Sequence, residues 1–374
     1  MTTELRRLTR AVQDARPLVD VLRHPVRLAG PPGLASLVGR VTRRLGAPEF
    51  ALDDPDSLGT FERLVSDHLA LREGMGEELP PGVVDEVVDD AAKDGFEGLC
   101  VRDEVKPADG GVPLPAYAAG DPAAPAVVLV AACGMPARLC ERWMRFLSRT
   151  HYVITWETRG LFGPGAGGCP DAGVTAQAGD LFAVMDHFGV RRAHLMCLCG
   201  GAVIGLAAAH RDTTRVQSLS LWHGDFAAVA GAERTHHQQN LVALMEMGAT
   251  GPDRAAAIHP VLCQTMLSSV PPDLAHLVVY PYATADLLHR YCRLNGEIMK
   301  TDVSPWLAGI DRPALVVTSR DDETAHPEGS KTVAGSLPGA MLHIRPHGDH
   351  ISLFKGDLEL MNMARDFIDS AAGR

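Results

Sequence analysis

No stretch of about 18 uncharged apolar residues occurs in the 374-residue chain, so no membrane-spanning helix is expected. The opening MTTELRRLTRAVQDARPL lacks the apolar core of a secretory leader, and a soluble, cytoplasmic protein is expected. Net positive charge is also missing. The balance is −11, which argues against nucleic acid as the main partner. The eight cysteines have no framework spacing. Cys197 and Cys199 form a C-x-C, but no second pair at zinc spacing accompanies it. Neither a disulfide ladder nor a metal site is expected, and no bound cofactor. The glycine-rich FGPGAGG (162–168) lacks the lysine and spacing of a phosphate loop and reads as a loop near a site mouth. Lysine is scarce beside arginine and alanine is abundant, as in a GC-rich bacterial genome.

Apolar residues make up 46% of the chain, enough for one large domain with an appendage or for two domains. The charge is uneven. Residues 1–45 hold nine Arg and three acids, and residues 46–105 hold seventeen acids and four bases. Both contain helical patches, among them LRRLTRAVQDA and GTFERLVSDHLALREGM. Residues 1–95 therefore read as a helical N-terminal extension. It is either a solvated appendage or a basic segment that docks an acidic protein partner.

The pattern changes near Phe96. GLCVRDEV and ADGGVPLPAYAAGD read as a hairpin with a glycine turn. Apolar strands then alternate with helices. The strands are AVVLVAAC (126–133), HYVITWE (151–157), AHLMCL (193–198), VQSLSLW (216–222), PALVVTS (313–319) and AMLHIR (340–345). Helices are expected at 137–149, 178–190, 201–210 and the C-terminus. Such alternation predicts an α/β protein with a mostly parallel sheet covered on both faces. The alternation fails between about 228 and 305, where helical patterns alone remain. That insertion reads as a lid over the carboxyl ends of the strands, where ligands of open parallel sheets bind. The expected division is 1–95, a core over 96–227 and 306–374, and the lid 228–305. His236 and His237, in a polar part of the lid, read as solvated. Cys100, Cys140, Cys263 and Cys292 read as packed thiols, and Trp143 and Trp222 as core or rim.

LMCLCGGAVIG (195–205) brings an apolar strand to Cys199 and starts a helix at once through Gly200 and Gly201. A side chain on such an elbow stands exposed above the sheet, and its neighbours must be small. Three further stretches fall at matching places. Cys133-Gly134-Met135-Pro136 follows the first central strand, so the backbone N–H groups of Met135 and Gly200 could face one developing oxyanion. Asp321 and Asp322 follow one late strand, and His347 and His350 follow the last. The chain order is nucleophile, acid, histidine.

On these residues the sequence resembles α/β-hydrolase-fold enzymes over roughly 96–374. CGMP resembles the family's His-Gly-x-Pro turn with cysteine for histidine. VITWETRGLFG resembles the family's aspartate followed by Arg-Gly, with Glu157 as the acid, and Cys197 replaces the usual first glycine of the elbow. The resemblance implies Cys199 as nucleophile, His350 as base and Asp322 as orienting acid, with Asp321 and Asp225 as alternative acids. His347 would shape the loop. A cysteine elbow forms a thioester, which favours exchange with thiols and amines over hydrolysis. The chain is similar to the carrier-protein aminoacyltransferases of syringomycin- and coronamic-acid-type pathways. That similarity implies acyl or aminoacyl transfer between phosphopantetheine thiols of carrier proteins, or from coenzyme A, with residues 1–45 docking the acidic acyl- or peptidyl-carrier protein. A thioesterase or cyclase is the second reading. A non-catalytic ligand-binding or scaffold protein is the third.

Overall fold

The computed structural model describes residues 2–75, 79–107, 109–163, 171–348 and 350–372; most of the glycine-rich stretch at 162–168 lies outside them. In chain order the strands are β1 (Val26–Ala29), β2 (Phe50–Asp53), β3 (Val101–Val105), β4 (Leu114–Ala119), β5 (Ala126–Val130), β6 (Tyr152–Trp156), β7 (Ala193–Leu198), β8 (Val216–Trp222), β9 (Ala314–Ser319) and β10 (Met341–Arg345). The helices are α1 (Thr2–Val19), α2 (Ala35–Leu45), α3 (Thr60–Leu69), α4 (Pro81–Lys93), α5 (Phe96–Leu99), α6 (Glu141–Leu147), α7 (Val174–His187), α8 (Gly201–Arg211), α9 (His236–Ala249), α10 (Pro252–Ser269), α11 (Ala275–Val278), α12 (Ala285–Lys300), α13 (Ser304–Leu307), α14 (Pro327–Ser336) and α15 (Leu358–Ala372). None of the described helices is long and apolar enough to cross a membrane.

The chain divides into two compact units, residues 102–258 with 285–374, and residues 1–101 with 259–284. The larger unit is built on an eight-stranded sheet in the order β10-β9-β8-β7-β5-β6-β4-β3. The pairs from β10 through β6 are parallel, and β4 runs antiparallel to β6. Every residue of β6, β7 and β9 is buried. Continuous burial is what a parallel strand covered on both faces requires, and it explains why these runs are largely apolar rather than alternating with exposed polar residues. The chain moves from β5 to β6 on one side and returns to β7 on the other. The carboxyl ends of β5 and β7 therefore flank the point where strand order reverses, the place where such sheets bind ligands. Trp143 and Trp222 belong to the core: neither is exposed, and their rings lie 5.6 Å apart at 54°. The Trp143 indole N–H donates to the Leu353 carbonyl at 2.9 Å.

The smaller unit corrects two expectations. It is not wholly helical, because β1 and β2 pair in parallel as a sheet of their own. Nor is 228–305 one continuous insertion, because 259–284 groups with the N-terminal residues. Within that unit His68 of α3 stacks on His276 of α11, with ring centroids 3.6 Å apart. Burial pushes His68 down to about 4, so the stack carries no charge on that ring at neutral pH.

The unit's arginines are largely committed. Arg40 and Arg44, one turn apart on α2, make two-pronged pairs with Asp85 and Asp89, one turn apart on α4, at 2.5–2.7 Å. Arg27 pairs with Glu62 at 2.6 Å, and Arg6 with Asp90 and Asp94 at 3.7 and 3.6 Å. Arg7, Arg10 and Arg16 donate to backbone carbonyls. The basic segment thus finds its acidic partner in residues 46–105 of its own chain.

Candidate active site

β7 delivers Cys199 at φ +56°, a left-handed conformation on a residue with a side chain. That conformation costs about 1–2 kcal/mol, so the surroundings must hold it. The Cys199 N–H donates to the Trp222 carbonyl at 3.0 Å, and its own carbonyl accepts from Ala202 at 3.0 Å and Asp225 at 3.4 Å. α8 begins immediately and lies hard against the sheet. A Cβ on Gly201 would fall 2.2 Å from the Val130 carbonyl oxygen, and one on Gly205 would fall 2.2 Å from Cys197 Sγ. The second figure explains the missing first glycine of the elbow. The bulk of Cys197 is accepted because Gly205, one turn along α8, leaves room for its sulfur.

The turn after β5 hangs on the end of β6. Gly134 N–H donates to Thr158 Oγ1 at 2.9 Å, and Ala137 N–H donates to Glu157 Oε2 at 2.9 Å. Burial drives Glu157 up to about 8 against the pull of the Ala137 N–H and the Arg138 charge. Met135 N–H is engaged in the turn by the Ala132 carbonyl at 3.2 Å. Gly200 N–H faces Cys199 and favours its thiolate. α12 lies above both elements. The Tyr291 ring comes within 2.7 Å of where a Gly134 side chain would begin, and Ile298 and Asn295 sit 3.2 and 3.7 Å from the same point on Gly200. These three α12 residues fall at helical spacing on one face. A small cleft is lined by Ala131, Cys133, Thr158, Arg159, Gln177 and Asp180. Its cation is already saturated, since Arg159 makes a bidentate pair with Asp180 at 2.6 and 2.7 Å and bonds Asp109 at 2.8 Å.

The three candidate acids fall in different surroundings. Asp321 is at the surface, paired with His347 at 3.1 Å and with the Gly348 N–H at 3.1 Å. Asp225 is buried and accepts from Gln238 Nε2 at 2.7 Å. Asp322 is buried beside histidines. Its Oδ2 accepts from His223 Nδ1 at 2.7 Å, and its Oδ1 accepts from the Thr324 and Ala325 N–H groups at 2.9 and 3.0 Å. Burial alone would raise Asp322, but the His223 bond and the charge of His350 outweigh it and hold the carboxyl below its ordinary value. His350 is 6% exposed, and its ring meets that of His223 edge to face, with centroids 6.3 Å apart. His237 is half-buried, and burial pushes its imidazole below the ordinary histidine value against the pull of the Asp322 charge. It is not the solvated residue its polar neighbours implied. His223 was missed in the sequence, although it follows β8 directly, beside the elbow on the neighbouring strand.

Cys199 sits in an environment that disfavours its thiolate. Burial pushes the thiol well above its ordinary value, and the Asp225 and Asp322 charges push it further. The resting sulfur is therefore protonated at neutral pH, and its alkylation by iodoacetamide should accelerate as pH rises past 9. Asp225→Asn removes the first of these charges. The thiol should then ionise at lower pH, and alkylation at pH 8 should quicken on the order of 3- to 10-fold. Peptide mapping of the labelled protein checks this, and an unchanged rate would mean that Asp225 carries no charge toward the sulfur.

An elbow on the fifth strand of such a sheet, an acid and a histidine after later strands, and helices on both faces define the α/β-hydrolase fold, and the chain has that fold. No family model matches it. Solved structures with the same fold include the enol-lactonase of Burkholderia xenovorans LB400, 21% identical, covering 71% of this chain and 100% of that one with a TM-score of 0.57. An esterase of Exiguobacterium antarcticum is 14% identical, covering 72% and 100%, with a TM-score of 0.57. By sequence the chain is similar to RutD of Pseudomonas savastanoi pv. phaseolicola, named for a proposed carbamate hydrolase activity. The two are 25% identical over 253 residues, 66% of this chain and 95% of RutD.

Proposed function

We propose that the protein cleaves activated acyl compounds, thioesters foremost, through an acyl-Cys199 intermediate. The observation that carries this reading is the strained Cys199 elbow with the buried Asp322–histidine cluster beside it. Cys199 gives its proton to His350, and the sulfur attacks the acyl carbon. The tetrahedral oxyanion is received by the Gly200 N–H and by the 134–135 turn, whose Met135 N–H is shared with Ala132. Collapse breaks the bond to the departing thiol, which takes the proton from His350. Asp322 holds its charge against the imidazolium formed in between.

Two fates of the acyl-cysteine follow. Water regenerates the thiol in a thioesterase, and the hydrolase names of the similar proteins support this fate. A second phosphopantetheine thiol, on a carrier protein or coenzyme A, gives transfer. The near-equal energies of two thioesters support that fate. If a carrier docks, the internal pairing of the N-terminal arginines means that charge on residues 1–45 is a poor guide to where.

Intact-protein mass spectrometry with acyl-loaded carrier protein or an acyl-N-acetylcysteamine thioester tests the reading. The expected result is one acyl increment, absent in Cys199→Ala. Its decay to free acid marks hydrolysis, and its appearance on an added carrier marks transfer. Turnover that survives in Cys199→Ala would sink the reading.

A further inference from the structure

Asp322 can accept about four hydrogen bonds, two on each oxygen. Oδ1 is filled by the Thr324 and Ala325 N–H groups. Oδ2 takes one bond, from His223 Nδ1 at 2.7 Å, and so keeps a single acceptor position. The His350 ring centroid lies 6.3 Å from that of His223, with the two rings at 84°. Asp322 thus bonds His223 directly and lies within the field of His350.

His223 is itself held firmly. Its side chain is fully buried, its backbone is at φ +48°, and its N–H donates to the Val317 carbonyl on β9 at 2.8 Å. Histidine is among the residues that tolerate this left-handed turn. The bond to Asp322 makes Nδ1 the protonated nitrogen. Nε2 is buried and has no hydrogen-bond partner among the described residues.

We propose that His223 is a positioning residue: its Nδ1–H bond fixes Asp322 and so holds the carboxylate in place beside His350. This rests on the assignment of Asp322 and His350 made above. The bond also favours the ionised acid. The other groups facing Asp322 are His350, His237, Asp225 and Cys199. Without His223, Asp322 takes up a proton at higher pH, so activity is lost earlier on acidification.

The test compares His223→Asn with His223→Leu, two side chains of similar size of which only the first keeps a donor. The readouts are turnover of p-nitrophenyl acetate and alkylation of Cys199 by iodoacetamide, each across pH. His223→Leu should lower kcat on the order of 10- to 100-fold with little change in KM, the usual cost of losing an orienting partner. Its acid limb should move to higher pH, and His223→Asn should restore most of both. In an Asp322→Asn background His223→Leu should add little. Equal behaviour of the two variants, or an unmoved acid limb, overturns the proposal. Should His223→Leu fail to fold, proton NMR of the wild type decides. A slowly exchanging, strongly deshielded His223 N–H that vanishes in Asp322→Asn is expected, and its absence overturns the proposal. Cys199→Ala is run alongside: if it keeps wild-type turnover, the reading of the site itself fails, whatever the His223 variants do.

Discussion

Asp322→Asn is expected to slow turnover of p-nitrophenyl acetate by roughly 1,000- to 10,000-fold while the protein stays folded. The asparagine fills the same space but carries no charge to set against the histidine cation formed during attack. Its amide also presents a donor where the carboxylate presented only acceptors, and Oδ2 is where His223 donates. The loss should therefore fall on kcat rather than on KM. Asp321→Asn is the control. That carboxylate is exposed and serves only the surface pair with His347 and the Gly348 N–H, so its loss should change turnover by no more than about 2-fold. Steady-state kinetics of the two variants checks both. Comparable losses in the two would mean that the loop after β9 presents its acids differently from the arrangement described.

Gly201→Ala carries the largest expected effect on stability. The added methyl would lie 2.2 Å from the Val130 carbonyl oxygen and 2.7 Å from that of Ala131. Both are backbone atoms at the end of a central strand, and no side chain can rotate away to make room. Relief requires α8 to move off β5, which also releases the elbow. We expect a cost of about 3 kcal/mol or more, read as a lower urea midpoint, together with loss of acyl capture. Gly39→Ala makes the contrast. It lies inside α2 with nothing within 4 Å of its would-be methyl, so it should stabilise by up to about 1 kcal/mol. A Gly201→Ala protein with an unchanged midpoint would show that α8 does not sit as close as described.

The core was legible because buried parallel strands announce themselves. AHLMCL and VQSLSLW coincide with β7 and β8 end to end, since short apolar-rich runs bounded by turns and alternating with helices have few other uses. The elbow was legible for a related reason, as only small residues fit around a strained turn. Less could be read where meaning depends on a distant partner. The arginines of residues 1–45 show only as charge in the sequence, which does not reveal that Asp85 and Asp89 lie opposite Arg40 and Arg44. The four-residue strands β1 and β2 are too short for periodicity to separate from loop. His223 lay in plain sight within LWHGDF, but its part depends on Asp322, 99 residues further along. Strand register supplies the missing clue: Leu198 pairs with Trp222, so the residues that follow each, Cys199 and His223, leave the sheet side by side.

The nesting of Cys197 against Gly205 ties two positions into one unit of inheritance. The sulfur fills the space that a helix side chain would otherwise occupy. Neither residue can change freely while the other stays. A lineage that reverts Cys197 to glycine opens a gap that alanine at 205 would fill, whereas alanine at 205 arriving first would collide with the sulfur. The order in which the two positions can change is therefore constrained.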